Sequence, residues 1–419
     1  MADAFDVVVV GGGPVGACVA ALLAGAAPRQ AAPLAVAILE PQRPAFPAPD
    51  APVDLRVAAF SRASEHILEA AGAWRKIAAA RISAYERMCI WHESTALGAR
   101  GVLRFDAAEA GEPNLGYIIE TRLVQAALLD AAVAAGVRIY ASEFVALHSA
   151  AERVHISTTD AAITARLVIG ADGARSPLRA AAGLAASVSD YGQSAIVATV
   201  ATERPHAETA WQRFLHTGTL AFLPLADGTS SIVWSADEKL AGALLGATAQ
   251  QFARELDRAS DGALGATQLA SERLSFPLQR LAAERYVSER CALVGDAAHV
   301  VHPLAGQGVN LGLLDAATLA ELILAACAAG EDPGALRVLR RYERWRKSET
   351  EFMRFAIDAF DRLLAHGTGP VAQLAQRGLG WVNHSSELKR LFMSRALGLS
   401  GELPQAARAA LSDRSSLHR

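Results

Sequence analysis

A chain of 419 residues, 52% of them hydrophobic, can fill a sizeable core and is long enough for two domains or one large elaborated one. Its 40 basic and 43 acidic residues are interspersed and leave a formal net charge of only -3, so no global field favours nucleic acid or an anionic membrane. The balance argues against a nucleic-acid partner.

Cys18, Cys89, Cys291 and Cys327 are far apart, with no Cys-x-x-Cys pair and no histidines at metal-ligand spacing. They read as buried free thiols, and no metal site is expected. Asp3 and Asp6 lead directly into an apolar strand, in place of the basic start of a secretion signal. The apolar run Val309 to Ala329 is interrupted by Asp315 and Glu321 and reads as a buried helix rather than a membrane span. A cytoplasmic, reducing location follows.

Phe5 to Val10 has the continuous β-branched character of a strand buried on both faces. Gly11, Gly13 and Gly16 follow at once, a G-x-G-x-x-G turn between that strand and an Ala-rich helix from Pro14 to about Ala27. Glycines there permit a tight turn, close approach of the backbone to a pyrophosphate and close packing of helix on strand. A second strand, Leu34 to Leu39, ends in Glu40, whose carboxylate suits the hydroxyls of an adenosine ribose. The series predicts dinucleotide binding.

After the proline-rich connector Pro41 to Pro52, Leu55 to Ser61 reads as extended and Arg62 to Ala71 as a helix. Arg56 lies beside Val57, Ala58, Ala59 and Phe60, which predicts partial burial and hence an anionic partner such as a phosphate. Tyr85 to His92, Val102 to Phe105 and Tyr117 to Glu120 read as strands, and Arg122 opens a helix through Ala135. Val137 to Leu147, Arg153 to Thr158 and Ile163 to Ile169 form a strand-rich meander ending in Gly170-Ala171-Asp172-Gly173. Its last strand is apolar throughout, so it returns to the parallel sheet and brings Asp172 to the carboxyl edge, where ligands of such sheets sit.

Tyr191 to Ser235 changes to longer alternating strands, a separate and mainly antiparallel sheet with one face available to line a substrate cavity. Phe222, Pro224 and Trp234 are the expected cavity-facing side chains. A helix, Thr248 to Ala259, and a strand, Arg273 to Pro277, lead to Ala292 to Asp315. That stretch runs an apolar strand into Gly295-Asp296, a Pro-Gly loop and a long helix. An acid at a strand end suits sugar hydroxyls, and a glycine loop opening a helix suits a negative group. Beyond Gly330 the pattern is helical, with Ala335 to Leu364 one long helix. Leu388, Leu391, Phe392 and Leu399 share a later helical face, with Lys389, Arg390 and Arg395 on others. Such a face docks on its own domain or, in the alternative, contacts a membrane surface or a partner.

The chain has a single G-x-G-x-x-G, so any nicotinamide must visit a site without that fingerprint. At this point GGGPVG, GADGARS and VGDAAH are similar, in order and separation, to the three flavin motifs of the para-hydroxybenzoate hydroxylase type of flavoprotein monooxygenases. The resemblance covers about residues 5 to 360. HPLAGQGVNLGLLD, AFLPLADG and SIVWS resemble the ubiquinone-biosynthesis branch.

The resemblance implies an α/β fold: a Rossmann-like FAD-binding domain of residues 1–75, 115–185 and 285–330, an inserted mainly antiparallel substrate sheet of residues 76–114 and 186–284, and a C-terminal helical region of residues 331–419. It implies FAD as cofactor, NAD(P)H as transient reductant, and hydroxylation of a polyprenylated phenol or quinol with O2 activated at flavin C4a. Gly11, Gly13, Gly16 and Arg56 would meet the pyrophosphate, and Glu40 the ribose. Arg122 opens a helix beside the flavin. Asp172 and Gly173 would border flavin and nicotinamide, and Asp296 would bind the ribityl chain. Pro303 would lie against the ring, and Gly306, Gln307, Gly308, Val309 and Asn310 would aim backbone donors at its pyrimidine end. Thr121 departs from the family, which often has an amide there. His299 and His302 flank the loop, and His302 reads either as a structural hydrogen-bonder or as the group that moves a proton. Two alternatives remain: a hydroxylase of a soluble aromatic compound, and a non-catalytic flavin scaffold of a quinone-biosynthetic complex. A hydrophobic substrate adds to the cytoplasmic expectation a peripheral position at the inner membrane face or association with a quinone-biosynthetic complex.

Overall fold

The computed structural model describes residues 3–26, 33–99, 101–302, 307–364, 398 and 401–408. The chain opens with β1 (Asp3–Val10), α1 (Pro14–Gly25), β2 (Val36–Leu39), β3 (Val57–Phe60), α2 (Arg62–Ala70) and α3 (Trp74–Ala78). Next come β4 (Ser83–Tyr85), β5 (Arg87–His92), β6 (Leu103–Asp106), α4 (Ala107–Ala110), β7 (Gly116–Glu120) and α5 (Thr121–Ala134). The meander is β8 (Arg138–Tyr140), β9 (Phe144–Ser149), β10 (Val154–Thr158) and β11 (Ala162–Gly170), followed by α6 (Pro177–Ala181). The long strands are β12 (Ala186–Thr202), β13 (Thr209–Leu215), β14 (Gly218–Pro224) and β15 (Ser230–Asp237), trailed by α7 (Glu238–Gly246) and α8 (Ala249–Ala259). Then come β16 (Thr267–Leu269), β17 (Leu274–Ala283), β18 (Val287–Ser288), β19 (Cys291–Leu293), β20 (His299–Val300), α9 (Gln307–Ala328) and α10 (Leu336–Leu364).

The first sheet runs β18-β19-β11-β1-β2-β8, with β9 and β10 attached through β11. Five consecutive strands, β19-β11-β1-β2-β8, are mutually parallel. Val7, Val8 and Val9 have no exposed surface, as the unbroken β-branched run requires of a strand covered by helices on both faces. Crucially, the register aligns Val10 with Leu39 and Gly170, and Gly170 with Leu293. Four chain segments therefore leave the sheet side by side at one carboxyl edge: Gly11, Glu40, Ala171-Asp172 and Val294 to Asp296.

The second sheet, β20-β17-β12-β15-β14-β13-β5-β6 with β16 on β12, is antiparallel except where β5 lies parallel to β13. A third small sheet, β3-β7-β4, is hydrogen-bonded to neither but packs on the end of β14 through Ala59, Ile118 and Leu225. The single strand expected over Tyr85 to His92 is thus two, β4 and β5, divided at Glu86 and belonging to different sheets. The strand expected to end at Pro277 continues to Ala283, and α7 was not legible.

Glycine turns and caps define the local ends. Thr248 caps α8 by a full capping box with Gln251. Asp237 accepts from Leu240 N–H at the start of α7. Helix α9 is apolar and long enough to cross a membrane by length and composition, yet 61% of that stretch is buried inside the protein. Gly312 lets it pack on α1, where an added Cβ would stand 2.6 Å from Val15. The face carrying Leu388, Leu391, Phe392 and Leu399 lies outside the described residues.

Candidate active site

The β1–α1 turn is built for close approach. Gly11 has φ +97°, and a Cβ there would lie 2.4 Å from Ala171 O; one on Gly16 would lie 2.0 Å from Gly11 O. Only glycine satisfies both. A Cβ on Gly13 would meet nothing within 4 Å. Gly13 is the N-cap of α1 and supplies no side-chain cap, so the first-turn amides of the helix are left for a ligand. Glycine backbone and uncapped helix-start amides together form an arrangement suited to an anionic group.

Glu40 faces that turn, accepting Gly12 N–H at 2.7 Å and Gln42 N–H at 3.0 Å. A carboxylate offers about four lone-pair sites, which leaves capacity for two ribose hydroxyls. Gln125, one turn into α5, donates to Gly12 O at 3.1 Å. It was not singled out from sequence, although the missing amide at Thr121 was a signal to look one turn further along the same helix.

Arg56 and Arg122 lie at neighbouring backbone positions, since Thr121 N–H donates to Arg56 O at 2.9 Å. Both side chains are exposed, and neither guanidinium has a hydrogen-bond partner among the described residues. The expected burial of Arg56 is corrected: Ala59 and Phe60 are buried in β3, whereas Arg56 precedes the strand and stands outside it. Two exposed cations thus sit at the start of α5.

Asp172 is half-buried, its Oδ2 accepting Leu178 N–H at 3.0 Å. Oδ1 is buried with no hydrogen-bond partner among the described residues. Burial pushes its carboxyl up, against the opposing pull of Ser176 and Arg179. Gly173 takes φ +81°. Arg179 ties this loop to the next, donating to Ala174 O and to Ala297 O, both at 2.8 Å.

Asp296 presents an open face to solvent although protein crowds it closely. That desolvation raises its carboxyl, with His299 pulling the other way. Beneath it the loop is pinned by a fully buried network that sequence reading missed. Asp315 Oδ2 lies 2.6 Å from His299 Nε2 and accepts Gly295 N–H at 3.1 Å, while Oδ1 accepts Arg346 Nε–H at 2.7 Å. Burial pushes the Asp315 carboxyl up, but His299 and Arg346 outweigh it and hold it below the usual range. The signal was present: an aspartate inside an otherwise apolar helix demands partners.

At the start of α9, Gly308 and Val309 are half-buried and a Cβ on Gly308 would meet nothing within 4 Å. Asn310 locks the helix to β3 and α2: its Oδ1 accepts Ser61 N–H at 2.9 Å and Ser64 Oγ–H at 2.6 Å, and its Nδ2 donates to Ala59 O at 2.8 Å. Pro303 and Gly306 lie outside the described residues, as does the side chain of Gln307. His302 is buried, with Nε2 donating to Gln193 Oε1 at 3.2 Å and its ring edge-on to Tyr191 at 4.9 Å. Gln193 sits where β12 shifts register against β17, so the second sheet grips the loop there.

The expected substrate-facing aromatics are placed otherwise. Phe222 and Trp234 belong to the cluster closed by Phe252 and Leu256 of α8, and Pro224 is buried with the parity of Phe222. Strand alternation then turns Ala221, Leu223, Val233 and Phe214 to the opposite face. That face meets the flavin-motif side: Phe214, Ile90 and Leu103 cluster with Val301 and with Leu311 of α9. Among the described residues no group of three His, Cys, Asp or Glu side chains could hold a metal ion.

The FAD binding domain family matches residues 4–353. A ubiquinone hydroxylase, UbiL, of Rhodospirillum rubrum is 37% identical over 94% of this chain and 89% of its own. This chain belongs to the ubiquinone-biosynthesis FAD-dependent hydroxylase family. The 3-demethoxyubiquinol 3-hydroxylase of Escherichia coli is 35% identical over 94% of this chain and 98% of its own. In fold, the p-nitrophenol 4-monooxygenase PnpA of Pseudomonas putida superposes with a TM-score of 0.74 over 96% of this chain and 99% of its own, at 19% identity. The protein is an FAD-dependent monooxygenase with NAD(P)H as transient reductant.

Proposed function

We propose that this protein hydroxylates the aromatic ring of a polyprenylated phenol or quinol in ubiquinone biosynthesis. The observation that carries the reading is the meeting of two surfaces: the carboxyl-edge segments bearing Gly13, Glu40, Asp172 and Asp296, and the face of the second sheet whose Phe214, Ile90 and Leu103 pack on Val301 and on Leu311 of α9. One side suits FAD and the other an apolar ring. The names of the relatives, a ubiquinone hydroxylase and a demethoxyubiquinol hydroxylase, support the substrate class.

Bound FAD supplies hydride acceptance from the nicotinamide and activation of O2. The chain's own residues bind and orient it. The backbone of Gly11, Gly13 and Gly16 and the cation of Arg56 take the pyrophosphate, Glu40 the ribose, and Asp296 the ribityl hydroxyls. The first-turn amides of α9, including Gly308 and Val309, carry about half a positive charge and favour negative charge at the pyrimidine end by roughly 0.3–2 kcal/mol. Arg122 and Asp172-Gly173 border the same cleft. The apolar face of the second sheet excludes water from the reacting ring. His302, oriented by Gln193, is the side chain best held to move a proton near the loop; Pro303 would pack on the ring face. The reading carries with it a cytoplasmic location, with contact at the inner membrane face or a quinone-biosynthetic complex as the route of an insoluble substrate.

The test is the precursor that accumulates when the gene is deleted, together with coupled NAD(P)H oxidation by purified protein. One blocked quinone precursor and tight coupling on a prenylated phenol are expected. Tight coupling on a small polar phenol, with prenylated ones ignored, would overturn the reading.

A further inference from the structure

Arg81 lies between α3 and β4, and Glu120 is both the last residue of β7 and the N-cap of α5. Two hydrogen bonds join them: Arg81 Nε–H donates to Glu120 Oε2 at 2.7 Å, and Nη2–H donates to Oε1 at 2.9 Å. Glu120 is only 3% exposed, and a carboxylate buried that deeply is tolerated only among donors. It has three, the fork of Arg81 and Asp54 N–H at 2.7 Å. Strand alternation puts Glu120 on the face of Ile118, whose cluster with Val57, Ala59 and Leu225 is apolar. An apolar side chain would serve burial there as well as an ion pair does. The pair therefore calls for a reason other than stability.

What it holds is the end of the proline-rich connector. Arg81 donates in addition to Ala51 O, and to Pro52 O at 3.2 Å. Asp54, held by its N–H on Glu120, turns Oδ1 back to accept Arg56 N–H at 2.8 Å. Arg56 O then accepts the N–H of Thr121, the residue directly after Glu120, at 2.9 Å. These bonds close a ring through Glu120, Asp54, Arg56 and Thr121. Among the described residues, 51–56 make no other hydrogen bond to a segment outside the connector. Strand β3 anchors Arg56 from one side, and the ion pair anchors it from the other. Arg122 stands two residues beyond Glu120, so one buried pair fixes the backbone of both exposed cations.

We propose that Arg81 and Glu120 are positioning residues for the cofactor: their buried ion pair holds Arg56 and Arg122 where the two cations serve FAD. The proposal rests on the reading above in which Arg56 takes the pyrophosphate and Arg122 borders the same cleft. Neither Arg81 nor Glu120 is placed on FAD, and their charges offset each other. They act through geometry, because an arginine fork grips phosphate oxygens only in a narrow range of positions. Breaking the pair therefore weakens FAD binding while both cations remain in the chain.

The experiment titrates the full-length apoprotein with FAD at low ionic strength, where exposed cations act most strongly. Flavin fluorescence gives Kd, and thermal melts establish that each variant folds. Arg81→Met with Glu120→Gln removes the ion pair without stranding a buried charge and keeps an acceptor for Asp54 N–H. This paired variant is expected to raise the Kd for FAD about tenfold, and Arg56→Ala with Arg122→Ala by about tenfold or more. Combining all four changes is expected to add no more than about twofold to the loss from the two cations, because the pair acts through them. A wild-type Kd in the Arg81→Met, Glu120→Gln protein overturns the positioning role, and so does a further rise of about tenfold in the combined variant; in either case the role of the cations stands. If Arg56→Ala with Arg122→Ala binds FAD as wild type does, both fall. Where the paired variant does not fold, Arg81→Lys, which keeps the charge and loses the fork, goes through the same cycle with an expected rise of about threefold and the same criteria.

Discussion

The two large sheets reach the same cleft by different physics. In the parallel sheet the site is made by backbone: register delivers four segments to one edge, glycines at 11 and 16 admit contacts that no Cβ allows, and helix starts offer amides. In the antiparallel sheet the site is made by side chains, and each residue's role depends on which of two faces it occupies. One face is sealed by α7 and α8 around Trp234 and Phe252; the other, to which alternation also turns Leu223 and Val233, packs through Phe214 on Val301 and Leu311. A backbone site is intolerant of substitution wherever a Cβ would strike main chain, as at Gly11 and Gly16. A face of a sheet can be altered one side chain at a time, which suits it to substrate choice.

That contrast can be broken at several points. The largest effect is expected from Asp315→Asn, which leaves Arg346 buried beside a neutral group and lowers stability by about 3–5 kcal/mol. Because the Asp315 carboxyl is held below its ordinary range in the fold, its contribution is present above that range and lost as pH falls through the lowered folded value. Thermal melts between neutral and acid pH should therefore show wild type losing stability on the acid side and the variant lacking that share of the loss. A variant as stable as wild type at neutral pH would remove the network from the description of the cleft.

Gly16→Val comes next. Its side chain must displace the Gly11 carbonyl, 2.0 Å from the position of a Cβ, costing ~1–3 kcal/mol or more. The purified protein should be colourless. Retention of FAD would show that the turn can yield, and the rigidity assigned to the parallel half would be wrong.

Asp296→Ala should fold, since the side chain reaches solvent, yet bind FAD about 10–100-fold more weakly through loss of charge-assisted hydrogen bonds. Equilibrium titration of apoprotein with FAD measures this. Binding as tight as the parent refutes the ribityl role.

The antiparallel half is sharpened by a pair. Trp234→Phe should lower stability by about 1 kcal/mol and leave KM for the aromatic substrate unchanged. Leu223→Ala should do the reverse, raising KM about tenfold at little cost in stability. If Trp234→Phe moves KM instead, the face assignment is inverted. Smallest in stability is Arg56→Ala, within about 0.5 kcal/mol for an exposed side chain, with its effect confined to FAD affinity.

Much of the parallel half was legible in the chain. The β-branched run before Gly11, Gly13 and Gly16, the strand ending in Glu40, and the apolar strands before Asp172 and Asp296 each announce themselves, because a strand buried on both faces and a turn that excludes Cβ leave few residue types to choose from. The family resemblance followed from those segments. Three things needed the folded chain. Alternation in β14 and β15 marks two faces but does not say which one the helices cover, so Phe222 and Trp234 were assigned to the wrong side; packing by α8, over fifteen residues downstream, decides it. Arg56 looked buried because its neighbours are, while its position one residue before β3 leaves it outside. Asp315, His299 and Arg346 come from three separate elements, and a network closed by contacts across 16 and 31 residues has no local pattern. The sequence by itself determined that a dinucleotide binds, because phosphate recognition is backbone chemistry written in glycine spacing and ribose recognition rests on an acid at a strand end; the family resemblance carried by those segments is what implies FAD. Only the tertiary structure decided which side chains face the substrate and which hold the loop, because those roles depend on distances between segments that the chain order does not encode.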